Sequence, residues 1–190
     1  ITGYSETVTG PAARRNLNRN GGVLAGIDVL ASNRFAALNG KRVAMITNHT
    51  GISRDGRRNI DLMVAAGVKL TALLSPEHGI SGTEDHEEVG DTRDTATGVP
   101  IYSLYKGKNR SPNSEQLKAV DVLVFDIQDI GCRFYTYVAT MGLCLEAASR
   151  AGLQFFVLDR VNPITGIGVE GPVYHGDPHF VAWHELPLRH

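Results

Sequence analysis

The chain repeats one pattern, a short apolar run that ends in a group of polar side chains. Four runs show it, residues 42–47, 70–75, 122–125 and 155–158, and they lead into Asn48-His49, Glu77-His78, Asp126-Ile127-Gln128-Asp129 and Asp159-Arg160. Uninterrupted apolar runs are typical of strands that are buried on both faces of a parallel sheet. In an open α/β sheet, ligands bind beyond the carboxyl ends of the strands. The pattern therefore predicts that the four polar groups converge on one site.

Between these runs lie segments whose apolar residues recur at helical spacing. The predicted helical segments are residues 26–38, 60–66, 114–119 and 135–151, and residues 99–105 form one further short strand. Gly67 and Gly152 each follow a helical segment, at the position where glycine commonly ends a helix. A strand, a helix and a second strand within about 35 residues match the size of a right-handed crossover unit. The sequence predicts an α/β fold with a mostly parallel sheet.

The regular pattern covers the middle of the chain. Residues 1–22 are polar and aperiodic and are predicted to form a flexible tail, whereas residues 23–165 form the domain. Residues 166–190 are rich in Gly, Pro, His and aromatic residues, and we expect them to lead into a second, smaller C-terminal domain that is missing from this chain. Residues 79–98 form a long acidic loop, which is predicted to be a lid or substrate loop, or else a solvated surface loop.

Composition narrows the class of protein. The chain has 190 residues, 42% hydrophobic and 21% charged, which is ordinary for a globular domain. A net charge of −1 provides no field that would attract nucleic acid. No apolar run reaches the roughly 18 residues of a membrane-spanning helix. Residues 1–20 lack the charged start and apolar stretch of a signal peptide.

Several familiar motifs are absent. The sequence has no GxGxxG, no GxxxxGK[ST], no GxSxG and no HExxH, and its two cysteines, Cys132 and Cys144, form no CxxC pair. Dinucleotide, nucleoside triphosphate and serine-hydrolase chemistry are thus disfavoured, and we expect no cofactor and no metal. A metal-dependent hydrolase stays a minor alternative, because His49, His78 and several carboxylates follow the predicted strands.

Catalysis by carboxyl groups is the chemistry for which the sequence offers the best candidate residues. Glu77 ends a predicted strand between Pro76 and His78, where partial desolvation would raise its pKa and suit it to general acid catalysis, although capping or an ion pair would also explain it. Asp126 follows a second strand, and Glu170 stands between glycines that permit the close approach of a ligand.

The neighbouring polar residues suit binding or structural roles. Asp129 is predicted to cap the helix that follows it. Arg133 and Arg160 carry planar guanidinium groups that match a carboxylate, and Asp159 beside Arg160 is typical of a structural ion pair. Tyr135 and Tyr137 either line a sugar or pack in the core.

These segments resemble the bacterial exo-β-N-acetylmuramidases of the NamZ type, long described as a domain of unknown function. The stretches that carry the resemblance are residues 40–51, 75–80, 97–105, 122–137, 158–163 and 169–172. The family usually has Pro where Val161 stands and Ala where Cys132 stands. Neither difference affects a candidate catalytic group.

The resemblance implies a Rossmann-like N-terminal domain with three layers, whose active site lies at the interface with a smaller C-terminal domain. It also implies a glycoside hydrolase that removes terminal β-linked N-acetylmuramic acid from the non-reducing ends of peptidoglycan fragments. We expect an extracytoplasmic location, periplasmic or secreted. The alternative of another class is a non-catalytic module that holds cell-wall sugars or a partner protein.

Chemistry and resemblance together assign roles. Glu77 is the predicted general acid/base, and its partner carboxylate is Glu170 or, second, Asp126, unless the acetamido group of the sugar acts as the nucleophile. The lactyl carboxylate of muramic acid requires a cation, which Arg133 or Arg160 would supply. The predicted substrate-binding residues are Asn48, His49, His78, Asp129, Arg133, Tyr135, Tyr137, Asp159 and Arg160.

Overall fold

The computed structural model describes residues 23–83, 91–105 and 110–190, and within them the chain forms an α/β domain around one six-stranded sheet. The elements are α1 (Gly26–Ser32), a 3-10 turn (Ala36–Leu38), β1 (Arg42–Thr47), α2 (Asn59–Ala65), β2 (Lys69–Ser75), β3 (Thr92–Arg93), β4 (Pro100–Ser103), α3 (Ser114–Leu117), β5 (Val122–Asp126), α4 (Tyr137–Arg150) and β6 (Gln154–Val157). The predicted tail, residues 1–22, lies outside the described residues.

The strand order places a crevice in the middle of the sheet. The order is β3-β4-β2-β1-β5-β6, and all neighbours are parallel except β3 and β4. From β1 the chain moves outward through β2 to β4, and it then returns to the other side of β1 to form β5 and β6. The direction of winding thus reverses between β1 and β5, where Thr47 pairs with Asp126. Open α/β sheets bind ligands at the carboxyl ends of strands at such a point.

Apolar residues fill both faces of the sheet, which makes the domain three layers thick. On one face Val43 and Met45 pack with side chains from α1 and α2, and on the other Ala44 and Ile46 pack with side chains from α3 and α4. Successive strand residues point to opposite faces, so burial on both sides requires the uninterrupted apolar runs seen in the sequence. The predicted mostly parallel α/β fold with three layers is confirmed.

The structure differs from the sequence-based expectation at two places. Helix α4 begins at Tyr137, and Asp129 does not cap it. Instead, Asp129 Oδ2 accepts a hydrogen bond of 2.9 Å from the Gly131 backbone N–H, so the carboxylate closes a turn and the prediction of a helix cap is wrong. Part of the predicted acidic loop contains the short strand β3, and residues 84–90 of that loop lie outside the described residues.

Residues 170–190, here called the C-terminal strap, run back across the start of α4. The Arg133 backbone N–H donates to the Leu188 carbonyl at 2.9 Å, and the His184 ring packs against Gly142 of α4. The strap has no helix or long strand, as its sequence predicts. No helix in the described part of the chain has both the length and the apolar character needed to cross a membrane.

Candidate active site

Glu77 lies in a strained turn directly after β2. Its neighbour His78 has a φ of 66° and Gly79 has a φ of 73°, so two consecutive residues adopt the left-handed region. For a residue other than glycine this conformation costs on the order of 1 kcal/mol, and such strain persists where the surroundings enforce it. The Gly79 N–H closes the turn by donating to the Pro76 carbonyl at 3.1 Å. The turn presents Glu77, which is half-buried, at the carboxyl edge of the sheet.

The start of α4 holds Glu77 at two points. The Thr136 hydroxyl donates to Glu77 Oε2 at 2.6 Å, and the Tyr137 hydroxyl donates to the Glu77 backbone carbonyl at 3.3 Å. Thr136 and Tyr137 are both buried, so these donors have fixed positions. The side chain and the backbone of Glu77 are therefore both positioned by one helix terminus.

Two tyrosines, Tyr105 and Tyr137, lie close enough to Glu77 to be affected by its charge, and Tyr135 packs on Tyr137. Burial raises the pKa of Tyr105, Tyr135 and Tyr137, in the last case to about 12. The charge of Glu77 contributes further to the raised pKa of Tyr105 and Tyr137. All three hydroxyls thus stay protonated at neutral pH and can donate hydrogen bonds. The Tyr135 and Tyr137 rings pack edge to face with centroids 4.7 Å apart; Tyr137 is buried in the apolar core, whereas Tyr135 is only partly buried.

A cation stands beside this group. The guanidinium carbon of Arg110 lies 4.7 Å from the Tyr105 ring centroid and 3.9 Å from that of Phe180. None of these three residues is among the site residues that the sequence predicts. Phe180 reaches Tyr105 only because the C-terminal strap folds back, and no local sequence signal encodes that contact.

Asp126 is fully buried and its two oxygens are both engaged. Arg160 Nε donates to Oδ1 at 2.7 Å, and Asn59 Nδ2 donates to Oδ2 at 2.7 Å. Asn59 also donates to the Thr47 hydroxyl at 2.7 Å, which joins α2 to β1 and β5. This geometry favours a structural role for Asp126.

Glu170 lies on the C-terminal strap. Its side chain is 67% exposed and is paired with Arg189 at 2.8 Å. The same two residues also pair through their backbones. Glu170 therefore belongs, in this structure, to a surface ion pair that fastens the strap.

Arg133 and Arg160, the two arginines predicted to bind a carboxylate, differ in whether a guanidinium nitrogen remains without a hydrogen-bond partner among the described residues. Arg133 Nη1 donates to the carbonyls of Pro172 at 2.8 Å and Leu186 at 2.5 Å. Arg160 binds Asp126 and donates from Nη1 to the Ile52 carbonyl at 3.2 Å, but its buried Nη2 has no hydrogen-bond partner within the described residues. Arg160 is thus the better placed of the two to donate a hydrogen bond to a further acceptor group.

Two cavities open at the carboxyl edge of the sheet. The Arg160 cavity, of about 280 Å³, is lined by Phe125, Ile127, Asp129, Tyr137, Val138, Met141, Val157, Leu158, Asp159, Arg160, Asn162 and His190. The Asn48 cavity, of about 370 Å³, is lined by Asn48, His49, Gly51, Arg58, Asn59, Ile60, Ile80, Ser81, Arg93, Asp94, Thr95 and Ile101. Asn48 and His49, after β1, line the second cavity, and Asp129, Asp159 and Arg160, after β5 and β6, line the first, whereas Glu77 and His78, after β2, line neither.

The remaining predicted residues occupy the edges of these cavities. Asn48 is buried and its Oδ1 accepts from both the backbone N–H and the hydroxyl of Thr50, at 2.9 and 2.6 Å. His49 packs against Gly82, where a Cβ would lie 2.0 Å from the His49 Nδ1 atom. Asp129 Oδ2 faces His190 Nε2 at 3.0 Å. In the ranges that the structure describes, no three His, Cys, Asp or Glu side chains form a group that would hold a metal ion.

Fold and site define a Rossmann-like α/β domain whose polar site lies at the reversal of strand order, with a positioned carboxylate near two tyrosines. The family model described as the N-terminal part of the exo-beta-N-acetylmuramidase NamZ matches residues 43–190. The chain belongs to this family, as the resemblance in its sequence predicts.

Individual proteins of known sequence or structure are also similar to this chain. The peptidoglycan beta-N-acetylmuramidase NamZ of Bacillus subtilis (strain 168) is 43% identical over 183 residues, covering 95% of this chain and 44% of the relative. Two crystal structures of DUF1343 family proteins from Bacteroides fragilis NCTC 9343 also match. One has a TM-score of 0.80 and 46% identity over 87% of this chain and 42% of its own, and the other has a TM-score of 0.73 and 33% identity over 88% and 43%. The chain thus spans less than half the length of these relatives.

Proposed function

We propose that this protein is a glycoside hydrolase that removes terminal non-reducing β-linked N-acetylmuramic acid from peptidoglycan fragments. The observation that carries the proposal is the position of Glu77, which is held by Thr136 and Tyr137 at the carboxyl edge of the sheet. Membership of the NamZ family supports it, since the Bacillus subtilis relative is named a peptidoglycan beta-N-acetylmuramidase.

Glu77 acts as the general acid/base. In the first step its carboxyl proton passes to the glycosidic oxygen while the bond between that oxygen and the anomeric carbon breaks, so the leaving sugar departs as an alcohol. In the second step Glu77 takes a proton from the water that attacks the anomeric carbon. The turn around His78 and the two donors from α4 keep the carboxyl group in place for both steps.

The second reacting group is the acetamido oxygen of the sugar. Asp126 has both oxygens occupied, and Glu170 is exposed and paired with Arg189. Because these contacts occupy both carboxylates, they favour an attacking group that comes from the substrate itself. In the first step the acetamido oxygen bonds to the anomeric carbon as the glycosidic bond breaks, and in the second step the attacking water displaces it from that carbon. No protein nucleophile is then required, as in the substrate-assisted glycosidases.

Arg160 binds the lactyl carboxylate that distinguishes muramic acid from glucosamine. Its Nη2 atom has no hydrogen-bond partner among the described residues, whereas Arg133 donates to two carbonyls of the strap. Arg160 also lines a cavity that includes Tyr137, the residue bonded to the Glu77 carbonyl. A bidentate or single charge-assisted hydrogen bond from Arg160 would favour the muramic substrate.

We also propose that a C-terminal domain completes the cleft; the chain covers 44% of the length of the Bacillus subtilis relative, which is consistent with this proposal. Because the proposed substrate is derived from the cell wall, we also propose an extracytoplasmic location, either periplasmic or secreted. Fractionation of a native producer would test that location.

The decisive experiment compares a version extended past His190 to the length of its relatives with its Glu77→Gln variant. We expect release of 4-nitrophenol from 4-nitrophenyl β-N-acetylmuramide, and a loss of about a hundredfold or more in the variant, because glutamine cannot transfer a proton. Glu146→Gln, at an exposed pair on α4, is the matched control and should retain activity. Equal turnover in the Glu77→Gln variant would contradict the role of Glu77, and sugar binding without turnover would instead indicate a binding module.

A further inference from the structure

Three residues that line the Arg160 cavity each carry a buried polar atom that makes no hydrogen bond within the described part of the chain. These atoms are Asp129 Oδ1, Arg160 Nη2 and His190 Nδ1. The Arg160 side chain is only 9% exposed, so water has little access to its unpartnered nitrogen. Buried polar atoms in native proteins normally have partners, and three such atoms around one cavity indicate a ligand that supplies them.

Asp129 and the backbone together fix the position of the His190 ring. His190 Nε2 lies 3.0 Å from Asp129 Oδ2, the oxygen that also accepts from the Gly131 N–H. The His190 backbone N–H donates to the Gly131 carbonyl at 2.9 Å, and the His190 carbonyl accepts from Asn162 Nδ2 at 2.6 Å. A carboxylate beside Nε2 favours a proton on that nitrogen, so Nδ1 is the ring atom left for a further partner.

The charged and titratable groups around His190 come from four parts of the fold. Besides Asp129, which follows β5, they are Arg160 and Asp159 after β6, Tyr137 at the start of α4, and Arg189 in the C-terminal strap. Both arginines are already paired with carboxylates, at 2.7 and 2.8 Å. Asp129 is the charged group in direct contact with the ring, and its negative charge balances that of a protonated imidazole.

The cavity combines these polar atoms with an apolar wall. It has a volume of about 280 Å³, and its apolar lining includes Ile127, Val138, Met141 and Leu158. A carboxylate on a short aliphatic body matches this lining, because one oxygen can accept from Arg160 Nη2 and the other from a protonated His190 Nδ1. A neutral histidine with its proton on Nε2 has no Nδ1 proton to donate. Binding of the carboxylate is thus linked to protonation of His190.

We propose that Arg160 and His190 form a proton-linked carboxylate site, in which Asp129 holds the His190 ring and the ring binds the ligand in its protonated form. Two sources supply such a carboxylate: the lactyl group of a muramic unit, or a free short-chain acid such as lactate. With the lactyl group as ligand, the inference rests on the proposed function and deepens it. Arg160 stays charged at every relevant pH, so the dependence on pH comes from His190.

The test is calorimetric binding between about pH 5.5 and pH 8, the range in which histidine titrates. It uses the version extended past His190, in which a peptide bond follows that residue. The ligands are N-acetylmuramic acid, free D-lactate, and N-acetylglucosamine, which lacks the lactyl group. We expect the affinity for the carboxylate ligand to fall about tenfold or more as the pH rises, and N-acetylglucosamine to show no such fall. Near pH 8, binding should take up about one proton, which titrations in buffers of different ionisation enthalpy measure.

The ligands also distinguish the two sources of the carboxylate. A fall with pH for D-lactate as well as for N-acetylmuramic acid identifies a site for the free acid. A fall for N-acetylmuramic acid alone identifies the carboxylate borne by the sugar.

His190→Gln separates protonation from the contact with Asp129, because glutamine can still donate to the carboxylate but takes up no proton. We expect this variant to bind N-acetylmuramic acid about tenfold more weakly near pH 5.5 and to lose both the fall with pH and the proton uptake. His175→Gln is the matched control. His175 also lies in the C-terminal strap beside a carboxylate, 3.5 Å from Glu185, but it is 69% exposed and does not line the cavity.

A parent protein with constant affinity for both carboxylates across this pH range would overturn the assignment, as would one that binds neither. An unchanged fall with pH in His190→Gln would also overturn it. Because these measurements require no turnover, hydrolysis of 4-nitrophenyl β-N-acetylmuramide tests the proposed function separately. Hydrolysis without proton-linked binding would leave the proposed function intact and remove this inference. Proton-linked binding of D-lactate by an inactive protein would do the reverse.

Discussion

Thr136 is the residue on which the position of the candidate acid depends most directly. Its hydroxyl is buried and lies 2.6 Å from Glu77 Oε2, and its backbone begins the turn that enters α4. The sequence gives no sign of this role, because a threonine before a helix is an ordinary structural residue. Only the fold brings α4 and the end of β2 together, so no spacing in the sequence marks this pair.

We expect Thr136→Val to lower kcat roughly tenfold with little change in KM, because the loss of one hydrogen bond to a charged group frees the carboxylate to rotate. Thr136→Ser keeps the hydroxyl and should restore most of the rate. Steady-state kinetics on 4-nitrophenyl β-N-acetylmuramide measure both constants. If Thr136→Ser were as slow as Thr136→Val, packing of the methyl group rather than the hydrogen bond would be responsible.

At the scale of single elements, helix α4 carries both the site and the anchor of the C-terminal strap. Its first turn holds Glu77, and Gly142, near its middle, receives the His184 ring. A Cβ at Gly142 would lie 1.8 Å from His184 Nε2, so the strap can approach only a residue without a side chain. The glycine is therefore a packing requirement, although glycine normally weakens a helix.

Gly142→Ala should lower the melting temperature instead of raising it. In an open helix the substitution would gain up to about 1 kcal/mol of stability. Here the added methyl group must displace the His184 ring, and we expect the cost of losing the packing of that ring to exceed the gain. The double variant Gly142→Ala with His184→Ala should recover stability, as followed by thermal unfolding. A single variant more stable than the parent would show that the strap is not packed as described.

Element positions were the most predictable part of the fold. The runs that became β1, β2 and β5 are apolar on both faces, and glycines follow α2 and α4, so pattern and boundary signals agree. Strand β3 was missed because it has two exposed residues and forms only by pairing with β4. The sequence also could not predict that Arg133 binds the C-terminal strap, since its partners, Pro172 and Leu186, lie about forty and fifty residues away.

At the scale of the whole molecule, one ion pair joins α2 to the edge of the sheet and is expected to set part of the acid stability. The Arg58 hydrogen bond lowers the pKa of Asp94 from 3.8 to about 2, with Thr97 contributing further. Because the folded pKa lies below the unfolded one, the unfolded state binds more protons as the pH falls between these two values. The stabilisation is thus complete above pH 4 and is lost toward pH 2.

Asp94→Asn should therefore be less stable than the parent at pH 6 and show a shallower fall in stability between about pH 4 and pH 2. Urea unfolding at a series of pH values measures both quantities. Asp61, which binds the same arginine from an exposed position, provides the comparison, and Asp61→Asn should have the smaller effect. Parallel stability curves for the parent and Asp94→Asn would contradict this account.

The central position of β1 also constrains how the chain folds during its synthesis. Along one edge, β1 pairs with β2, the next strand to be synthesised. Its other edge stays unpaired until β5 has been synthesised, about 75 residues later. Until residues 122–126 have emerged, the buried strand has an apolar, unpaired edge, which is the feature that promotes association between chains. The same strand order that creates the crevice therefore makes folding depend on a late, long-range pairing, and nascent or truncated chains that end before β5 are the forms of this protein most exposed to aggregation.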